Sequence, residues 1–335
     1  MKAISKSMFI ASAALACAFT LPAASAATAP AKRPMITVTL GDEVGSEVDY
    51  ANIWAAQHEG YYAKEGIRIE RKTFNNGPEA LLQFANGSLD FVVGGLAPFM
   101  EMGARGQQFK MLMSVTKYNA PLVGLDSIKD WKDLNGKKVG SPGIGVVQDA
   151  ILSYVEKTQH IKFEHVYGTV TSFPVMLRQG EIQAFISWEP AAATALAQGK
   201  GLHYIAQRPP LNNAESLELI ASPAMMKQHP DVAYRFVKAT LEGMQYIKTH
   251  SEMDVAKIVA QKMRNPKAVP IVLQAMKSVG VTSPRVDMPS SAIILQTLAQ
   301  SGKIPAKYAK DPDAWLKTYL DYTDLDKAEK QLNFH

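Results

Sequence analysis

The chain has 335 residues, among them 36 lysines and arginines and 31 aspartates and glutamates, so its formal net charge at pH 7 is +5. This mild balance, with basic residues scattered among acidic ones, argues against a nucleic-acid-binding stripe. Cys17 is the only cysteine and lies in an apolar N-terminal run, which excludes disulfides, a cysteine nucleophile and cysteine metal ligands from the rest of the chain.

The N-terminal residues have the three parts of a secretory signal. Two lysines lead into an apolar run from Met8 to Leu21, and the small residues Ala24-Ser25-Ala26 follow it. This arrangement predicts a cleaved signal peptide over 1–26, and the apolar run is too short to span a membrane. The surroundings of Cys17 fit a lipoprotein box poorly, so we expect a periplasmic protein without a lipid anchor. A flexible tail rich in alanine and proline is predicted over 27–34.

Strand and helix patterns then alternate as far as residue 125. Short apolar runs between turns predict strands at Met35–Leu40, Ile67–Arg71, Phe91–Val93, Lys110–Thr116 and Pro121–Leu125. Helices are predicted from Tyr50 to Gly60 and from Pro78, a favoured helix opener, to Ala85. Polar or glycine-containing loops follow the first and third strands.

The stretch from Asp133 to Leu152 combines a polar turn, an apolar run, a glycine-proline loop and a helical pattern. Val139 marks a strand, Gly140–Gly145 the turn, and Val146–Leu152 the start of a helix. Unpaired N–H groups and the macrodipole at such a helix start attract an anion or an acceptor oxygen. The glycine spacing fits neither GxGxxG nor GxxxxGK[ST], so no nucleotide site is predicted. An ordinary strand-to-helix turn without a ligand is the alternative.

The remaining chain continues the alternation and then becomes helical. Further strands are predicted at Val166–Thr169, Ala184–Ser187 and Leu217–Ala221. Ser172 is a plausible N-cap for a helix to Gln179, and an alanine-rich helix ends near Gln198. From Pro230 onward we find only helical patterns.

Two decapeptides in the chain echo each other. Phe84–Val93 lines up with Leu177–Ile186, 93 residues later, and each combines a helix end, a glycine and a buried strand. The echo predicts two similar α/β lobes, although chance similarity is a rival explanation. Alternating strands and helices favour open, mostly parallel sheets whose ligand crevice lies at the carboxyl ends of the strands.

Four segments carry a resemblance to a known family. They are HEGYYAKEGI from His58, FANGSLDFVVGG from Phe84, IKDWKDLNGKKVG from Ile128 and MLRQGEIQAFISWEP from Met176. Together they resemble the periplasmic substrate-binding proteins of ABC importers for nitrate, sulfonates, taurine and thiamine-precursor pyrimidines. The match extends from about Ile36 to Ala260.

The resemblance implies a two-lobed type II periplasmic-binding-protein fold, in which each lobe is a mostly parallel sheet flanked by helices. Lobe 1 would be 35–120 plus 222–335, and lobe 2 would be 121–221. Pro121–Leu125 and Leu217–Ala221 would be the two hinge crossings, and closure on a solute would present a new surface to an inner-membrane permease. The same resemblance implies a monomer without catalytic residues, metal or cofactor.

The resemblance also implies a pocket between the lobes. The positions carried over are Asp42, Glu43, Ser46, Asp49, Gly95, Leu96, Ala97, Gly143, Ile144, Gly145, Val146, Thr171, Ser172, Phe173, Trp188 and Glu189. Many relatives have a serine or threonine in the loop after the strand at Val139, where a hydroxyl can bind sulfonate oxygens, but this chain has Gly-Ile-Gly-Val-Val at 143–147. No lysine or arginine falls on the implied lining either.

These departures weigh against nitrate and simple sulfonates. They favour a larger organic solute that is aromatic, or that has a cationic or hydrogen-bond-donor group facing the acids. Our hypothesis is that Glu189 or Asp42 sets the polarity of the pocket, and that Trp188 or Phe173 supplies a stacking face.

Each of these residues also has a purely structural interpretation. Trp188 could pack the hinge, Glu189 could charge a helix N-terminus, Phe173 could be core, and the acids after the first strand could be a solvated loop. His160 and His165 lie beside Glu164, but their spacing is weak evidence for a metal, so surface histidines are expected.

Two other functional classes remain open at this point. A thiamine-pyrimidine-synthase-like enzyme shares the implied fold, but the cysteine-rich motif of those enzymes is absent from the sequence. A sensory binding protein, which signals to a receptor instead of feeding a permease, cannot be separated from an importer component by sequence.

Overall fold

A computed structural model describes residues 33–117, 120–211, 216–280 and 283–334. The predicted signal peptide, Cys17 and all but the last two residues of the predicted tail lie outside these ranges. None of the helices described here combines the length and the apolar character needed to cross a membrane.

Ten strands form within the described ranges, where apolar runs lie between turns. They are β1 (Ile36–Glu43), β2 (Ile67–Phe74), β3 (Phe91–Gly95), β4 (Lys110–Lys117), β5 (Leu122–Leu125), β6 (Lys138–Ser141), β7 (Glu164–Tyr167), β8 (Ala184–Ile186), β9 (Leu202–Ala206) and β10 (Ser216–Ala221). Strand β9 was not predicted, because it is a half-buried edge strand without a continuous apolar run.

Fourteen α-helices accompany the strands in the described part of the chain. They are α1 (Ala51–His58), α2 (Tyr61–Lys64), α3 (Gly77–Ala85), α4 (Leu96–Ala104), α5 (Val147–Gln159), α6 (Phe173–Gln179), α7 (Ala191–Gln198), α8 (Pro223–Gln228), α9 (Pro230–Thr249), α10 (Glu252–Lys262), α11 (Val269–Met276), α12 (Met288–Gln300), α13 (Pro312–Lys317) and α14 (Thr323–Leu332). Short 3-10 turns occur at Lys132–Leu134, Pro266–Ala268 and Ala306–Ala309.

Side-chain caps fix several helix starts. The Asn76 side chain accepts a hydrogen bond from the Glu79 N–H and thereby caps α3, and Pro78 stands in its first turn. Ser172 stands at the N-cap position of α6 as predicted. However, its hydroxyl donates to the Thr169 carbonyl at 2.7 Å and makes no cap hydrogen bond.

The strands form two five-stranded sheets of matching design. The first has the order β2-β1-β3-β10-β4 and the second β7-β6-β8-β5-β9. In each sheet four strands run in one direction, and only β10 or β5 runs against its neighbours. The prediction of two mostly parallel sheets flanked by helices is therefore confirmed.

The two internal echoes fall on equivalent elements. Phe84–Val93 covers the end of α3 and most of β3, and Leu177–Ile186 covers the end of α6 and all of β8. Strands β3 and β8 each hold the central position of their sheet. The segments predicted as hinge crossings are sheet members, β5 and β10, and the chain passes between the sheets just before each of them.

Three apolar clusters fill the interior. One packs α1, α9 and α10 on the first sheet, where Phe91 and Phe236 stack with ring centroids 4.4 Å apart. Gly243 lets α9 approach α1 closely, since a Cβ there would lie 2.0 Å from the Asn52 carbonyl oxygen. A second cluster, which we call the shared cluster, joins α4, α5 and α12 through Leu96, Phe99, Val147, Ile151, Ile294 and Leu298. The third surrounds Phe185 in the second sheet.

Candidate functional site

A cavity lies where the carboxyl ends of strands from both sheets converge, which is the place that open α/β sheets use for ligands. It has a volume of about 20 Å³, room for about one water molecule, and is lined by Glu43, Ser46, Asp49, Gly95, Pro98, Val146, Val147, Gln148, Trp188 and Leu217. The first sheet and its loops contribute Glu43, Ser46, Asp49, Gly95, Pro98 and Leu217. The second sheet and its loops contribute Val146, Val147, Gln148 and Trp188. We call this space the cleft cavity.

Asp42 and Glu43 at the end of β1 and Asp49 in the loop after it are buried, so the interpretation of these acids as a solvated loop is wrong. Asp42 and Asp49 are each 1% exposed and Glu43 is 7% exposed. Glu43 and Asp49 line the cleft cavity together with the buried Ser46. None of the ten described lining residues is a lysine or an arginine.

The Glu43 carboxylate is set into a cradle of glycines. Its Oε1 lies 2.9 Å from the position that a Cβ on Gly77 would take and 3.4 Å from that on Gly94, so a side chain at Gly77 would displace the carboxylate, whereas one at Gly94 would be in ordinary contact with it. The backbone of Gly95 donates a hydrogen bond to this carboxylate. Burial, with a smaller effect of the neighbouring Asp42 charge, nevertheless raises the pKa of Glu43 to about 8.

Backbone groups near Glu43 are also satisfied. The Glu43 N–H donates to the Tyr50 hydroxyl at 3.2 Å, and that hydroxyl donates to the Val93 carbonyl at 3.2 Å. Tyr50 thus ties the end of β1 to β3. Burial and the charges of Glu43, Asp42 and Asp49 raise the pKa of Tyr50 well above its usual value, so it stays a neutral donor.

Asp42 is not among the cavity-lining residues. Its carboxylate accepts from Nε of Arg71, whose guanidinium lies 4.4 Å from the centroid of the Trp54 ring. Burial still raises the pKa of Asp42, although the Arg71 partner opposes the effect. Because Asp42 is already paired, Glu43 and not Asp42 presents a carboxylate to the cavity.

The glycine loop of the second sheet brings the start of α5 to the cleft cavity. Gly145 has a φ of +82°, and its N–H donates to Oδ2 of Asp149 at 3.4 Å. A Cβ on Gly145 would lie 2.4 Å from Oε1 of Glu101 on α4, so this loop presses against the first sheet's helix. Gly143 and Ile144 do not line the cavity, and Ile144 is 56% exposed.

Asp149 also anchors this loop to β7. Its Oδ1 lies 3.2 Å from Nδ1 of His165 and accepts from the Tyr167 hydroxyl at 3.1 Å. Glu156 lies 3.4 Å from the other ring nitrogen of His165, and the two carboxylates together raise the pKa of this histidine. His165 is therefore a half-buried structural group, contrary to the surface position expected for it. Among the described residues, no group of three or more potential ligands could hold a metal ion.

Trp188 and Glu189 follow β8 and have different surroundings. The Trp188 indole lines the cavity, and its N–H donates to the Val44 carbonyl at 3.2 Å, which links the second sheet to the loop after β1. Glu189 is fully buried but does not line the cavity, because its carboxylate accepts from the Ala193 N–H, the Tyr204 hydroxyl and the Ser278 hydroxyl. Burial raises its pKa to about 7.

The other predicted positions lie around the cavity and not in it. Leu96 and Ala97 are buried in the first turn of α4, and Phe173 stacks on Phe185 at 5.2 Å in the core. Thr171 is exposed and Ser172 is half-buried. The structure adds four lining residues that the sequence analysis missed, namely Pro98, Val147, Gln148 and Leu217. Each lies within three residues of a predicted loop or strand end, which is the signal that could have found it.

Comparisons with known proteins agree with this architecture. Residues 47–253 match the family model described as NMT1/THI5 like. A provisionally named binding protein of Brucella abortus (strain 2308) is 23% identical over 248 residues, which cover 69% of this chain and 76% of that protein. A provisionally named aliphatic sulfonates-binding protein of Bacillus subtilis (strain 168) is 24% identical over 229 residues, covering 62% of this chain and 65% of that one.

Solved structures show the same fold. The periplasmic nitrate-binding protein of Synechocystis PCC 6803 superposes with a TM-score of 0.72 at 15% identity and covers 89% of each chain. The periplasmic aliphatic sulphonate-binding protein of Escherichia coli gives 0.66 at 18% identity, covering 80% of this chain and 88% of that one. The chain therefore has the two-lobed α/β fold of periplasmic binding proteins.

Proposed function

The chain belongs to the NMT1/THI5-like family, and from this premise we propose that it is an extracytoplasmic solute-binding protein. It captures a small organic solute in the cleft cavity and delivers the solute to the permease of an ABC importer. Lobe 1 comprises 35–120 with 222–335, and lobe 2 comprises 121–221. Its similar proteins include nitrate- and sulfonate-binding proteins of import systems.

The observation that carries this proposal is the composition of the cavity wall. Residues from both lobes line one space, and the Trp188 N–H bond to the Val44 carbonyl joins the two lobes. A solute in such a space touches both lobes at once, so its binding favours the closed arrangement over the open one. The two passages of the chain between the sheets, before β5 and before β10, serve as the hinge.

The wall also bears on the kind of solute. Glu43 and Asp49 are acids, Trp188 offers an aromatic ring, and the remaining lining includes apolar Val146 and Leu217. An acidic wall without a lysine or arginine is unsuited to nitrate or a sulfonate. The solute accordingly has an aromatic part, or a cationic or hydrogen-bond-donor group.

A thermal-shift screen of the exported chain tests the proposal. The protein is unfolded and refolded to remove carried solute, and sulfonates, aromatic acids, pyrimidines and amines are added in turn. A true ligand at a hundredfold its dissociation constant adds about 2.7 kcal/mol and raises the melting midpoint by several degrees.

Chromatography of the bound compound completes this experiment. A solute that is recovered unchanged supports a binding protein, whereas its conversion to a product would favour the thiamine-pyrimidine-synthase-like alternative. Absence of any shift, together with no small molecule carried by the protein purified from its own host, would overturn the proposal.

A further inference from the structure

The Glu43 carboxylate occupies a position that suits an anion. It lies against Gly77, the first residue of α3, and Gly94 and Gly95, which lead into α4. Each of these helices has nine residues, and N–H groups and the positive end of the macrodipole converge at their starts. In this chain the protein's own carboxylate takes that place, and the Gly95 backbone donates to it.

An anion in the cleft cavity would meet two acids and no cationic side chain among the described lining residues. Asp49 lines the same space, and the ten described lining residues include no cation. Arg71, which reaches the end of β1, is already paired with Asp42. Charges of one sign in a water-poor site repel strongly, so once Glu43 is ionised an anionic solute should bind less well than a cation.

A cation would find several acceptor groups in the cavity wall. An ammonium group has donors only, and the cavity wall offers it the carboxylates of Glu43 and Asp49 and the Ser46 hydroxyl. The Trp188 ring can also contact a cation or the solute's apolar part through its π face, since the indole N–H is directed to Val44. The acceptors and the ring surround one space of about 20 Å³, so an organic cation enters only when the lobes move apart.

From this geometry, and on the basis of the proposed function, we infer that the cleft cavity selects a small organic ammonium ion over anions. Glu43 is the residue that sets this preference. Its carboxylate occupies the position at the two helix starts that would otherwise favour an anion. It therefore presents a negative charge to a bound cation.

The burial of Glu43 adds a measurable consequence. The titratable groups around it are Asp42 on its own strand, Asp49, and Tyr50 from the start of α1, while α3 and α4 contribute only backbone groups and Pro98. With its pKa raised to about 8, Glu43 is protonated in the empty protein at pH 7. An ammonium ion that binds the carboxylate must therefore displace a proton into solution.

Isothermal titration calorimetry on the refolded, solute-free protein tests the inference with three probes that share one ring. Benzylammonium is the cation, benzyl alcohol the neutral match and benzenesulfonate the anion. We expect benzylammonium to bind tightest and benzenesulfonate weakest. Titrations at pH 7 in buffers of different ionisation enthalpy should show release of close to one proton per benzylammonium bound.

Two variants separate the role of Glu43 from the effect of other acidic side chains near the cavity. In Glu43→Gln the affinity for benzylammonium should fall about ten- to hundredfold, the usual effect of losing a charged hydrogen bond, and the proton release should disappear. Glu101→Gln is the matched control, because Glu101 is a half-buried acid on α4 that does not line the cavity. Its affinity for benzylammonium should change less than threefold.

Native mass spectrometry of the protein from its own host identifies the carried solute and provides an independent measurement. A carried amine whose retention is weakened by Glu43→Gln supports the inference, whether or not the three probes bind. Tighter binding of benzenesulfonate than benzylammonium, a carried anion, or equal benzylammonium affinity in Glu43→Gln would overturn the inference and leave the solute-binding function standing. If no probe binds and no solute is carried, both proposals fall.

Discussion

Replacing Glu43 by glutamine should stabilise the empty protein at high pH and leave it nearly unchanged at low pH. The ordinary pKa of a glutamate is 4.5, and burial raises that of Glu43 to about 8. The folded state therefore holds this proton more tightly than the unfolded chain does. Stability is greatest below pH 4.5, falls as the pH rises toward 8, and is constant above that value.

The size of the effect follows from the pKa difference. One pKa unit corresponds to about 1.4 kcal/mol, so ionised Glu43 costs the folded protein about 4 to 5 kcal/mol at pH 9, before any relaxation of its surroundings. Glutamine has nearly the same shape and cannot ionise. The variant should therefore gain several kcal/mol over the natural protein at pH 9 but less than about 1 kcal/mol at pH 5.

Urea unfolding of both proteins at the two pH values measures this difference, which should move the unfolding midpoint at pH 9 by about 1 M or more. Glu65→Gln is the control for a buried acid that is paired, because Glu65 contacts Lys238 at 2.5 Å. That variant should not be stabilised at pH 9. A stability difference between Glu43→Gln and the natural protein that does not depend on pH would refute the reasoning.

Three further predictions concern binding and closure. As Glu43 ionises, the affinity for benzylammonium should rise by up to about tenfold per pH unit between pH 6 and 8 and then level off. An affinity that calorimetry finds to be independent of pH over this range would contradict this prediction. Gly145→Ala should lower the melting midpoint more than Gly136→Ala. Both glycines have a positive φ, but only a Cβ at position 145 would meet a neighbouring side chain. Equal decreases of the melting midpoint in differential scanning calorimetry would contradict this prediction. Trp188→Phe should weaken retention of the carried solute severalfold. Phenylalanine keeps an aromatic ring but loses the hydrogen bond to Val44, which contributes about 1 kcal/mol. Unchanged retention would count against a role of Trp188 in closing the lobes.

The strands and their order of appearance could be predicted because buried strands leave a strong local signal. Phe91–Gly95 and Ala184–Ile186 are apolar runs between turn residues, and each was found within two residues of its ends. All five residues of the edge strand β9 are half-buried, and its pairing with β5 depends on residues far away in the sequence. The local sequence pattern therefore gives little indication of this strand.

The loops of the candidate site could be predicted, but the side chains that face the cavity could not. Successive residues of a strand point to opposite faces, and the sequence alone did not show that Asp42 reaches Arg71 while Glu43 reaches the cavity. Glu189 was assigned to the pocket, yet partners from distant segments, Tyr204 and Ser278, hold its carboxylate elsewhere. Long-range partners of this kind are set by tertiary packing.

The shared cluster has a thermodynamic consequence for the proposed motion. Helix α12 packs against both α4 and α5, so the apolar side chains of this cluster belong to both lobes. Opening would expose part of this surface to water, and closing would remove it. Because burial of apolar surface lowers the heat capacity, even a wholly polar solute should bind with a negative heat-capacity change. That change, followed over temperature, would measure the closing of the lobes separately from the contacts of the solute itself.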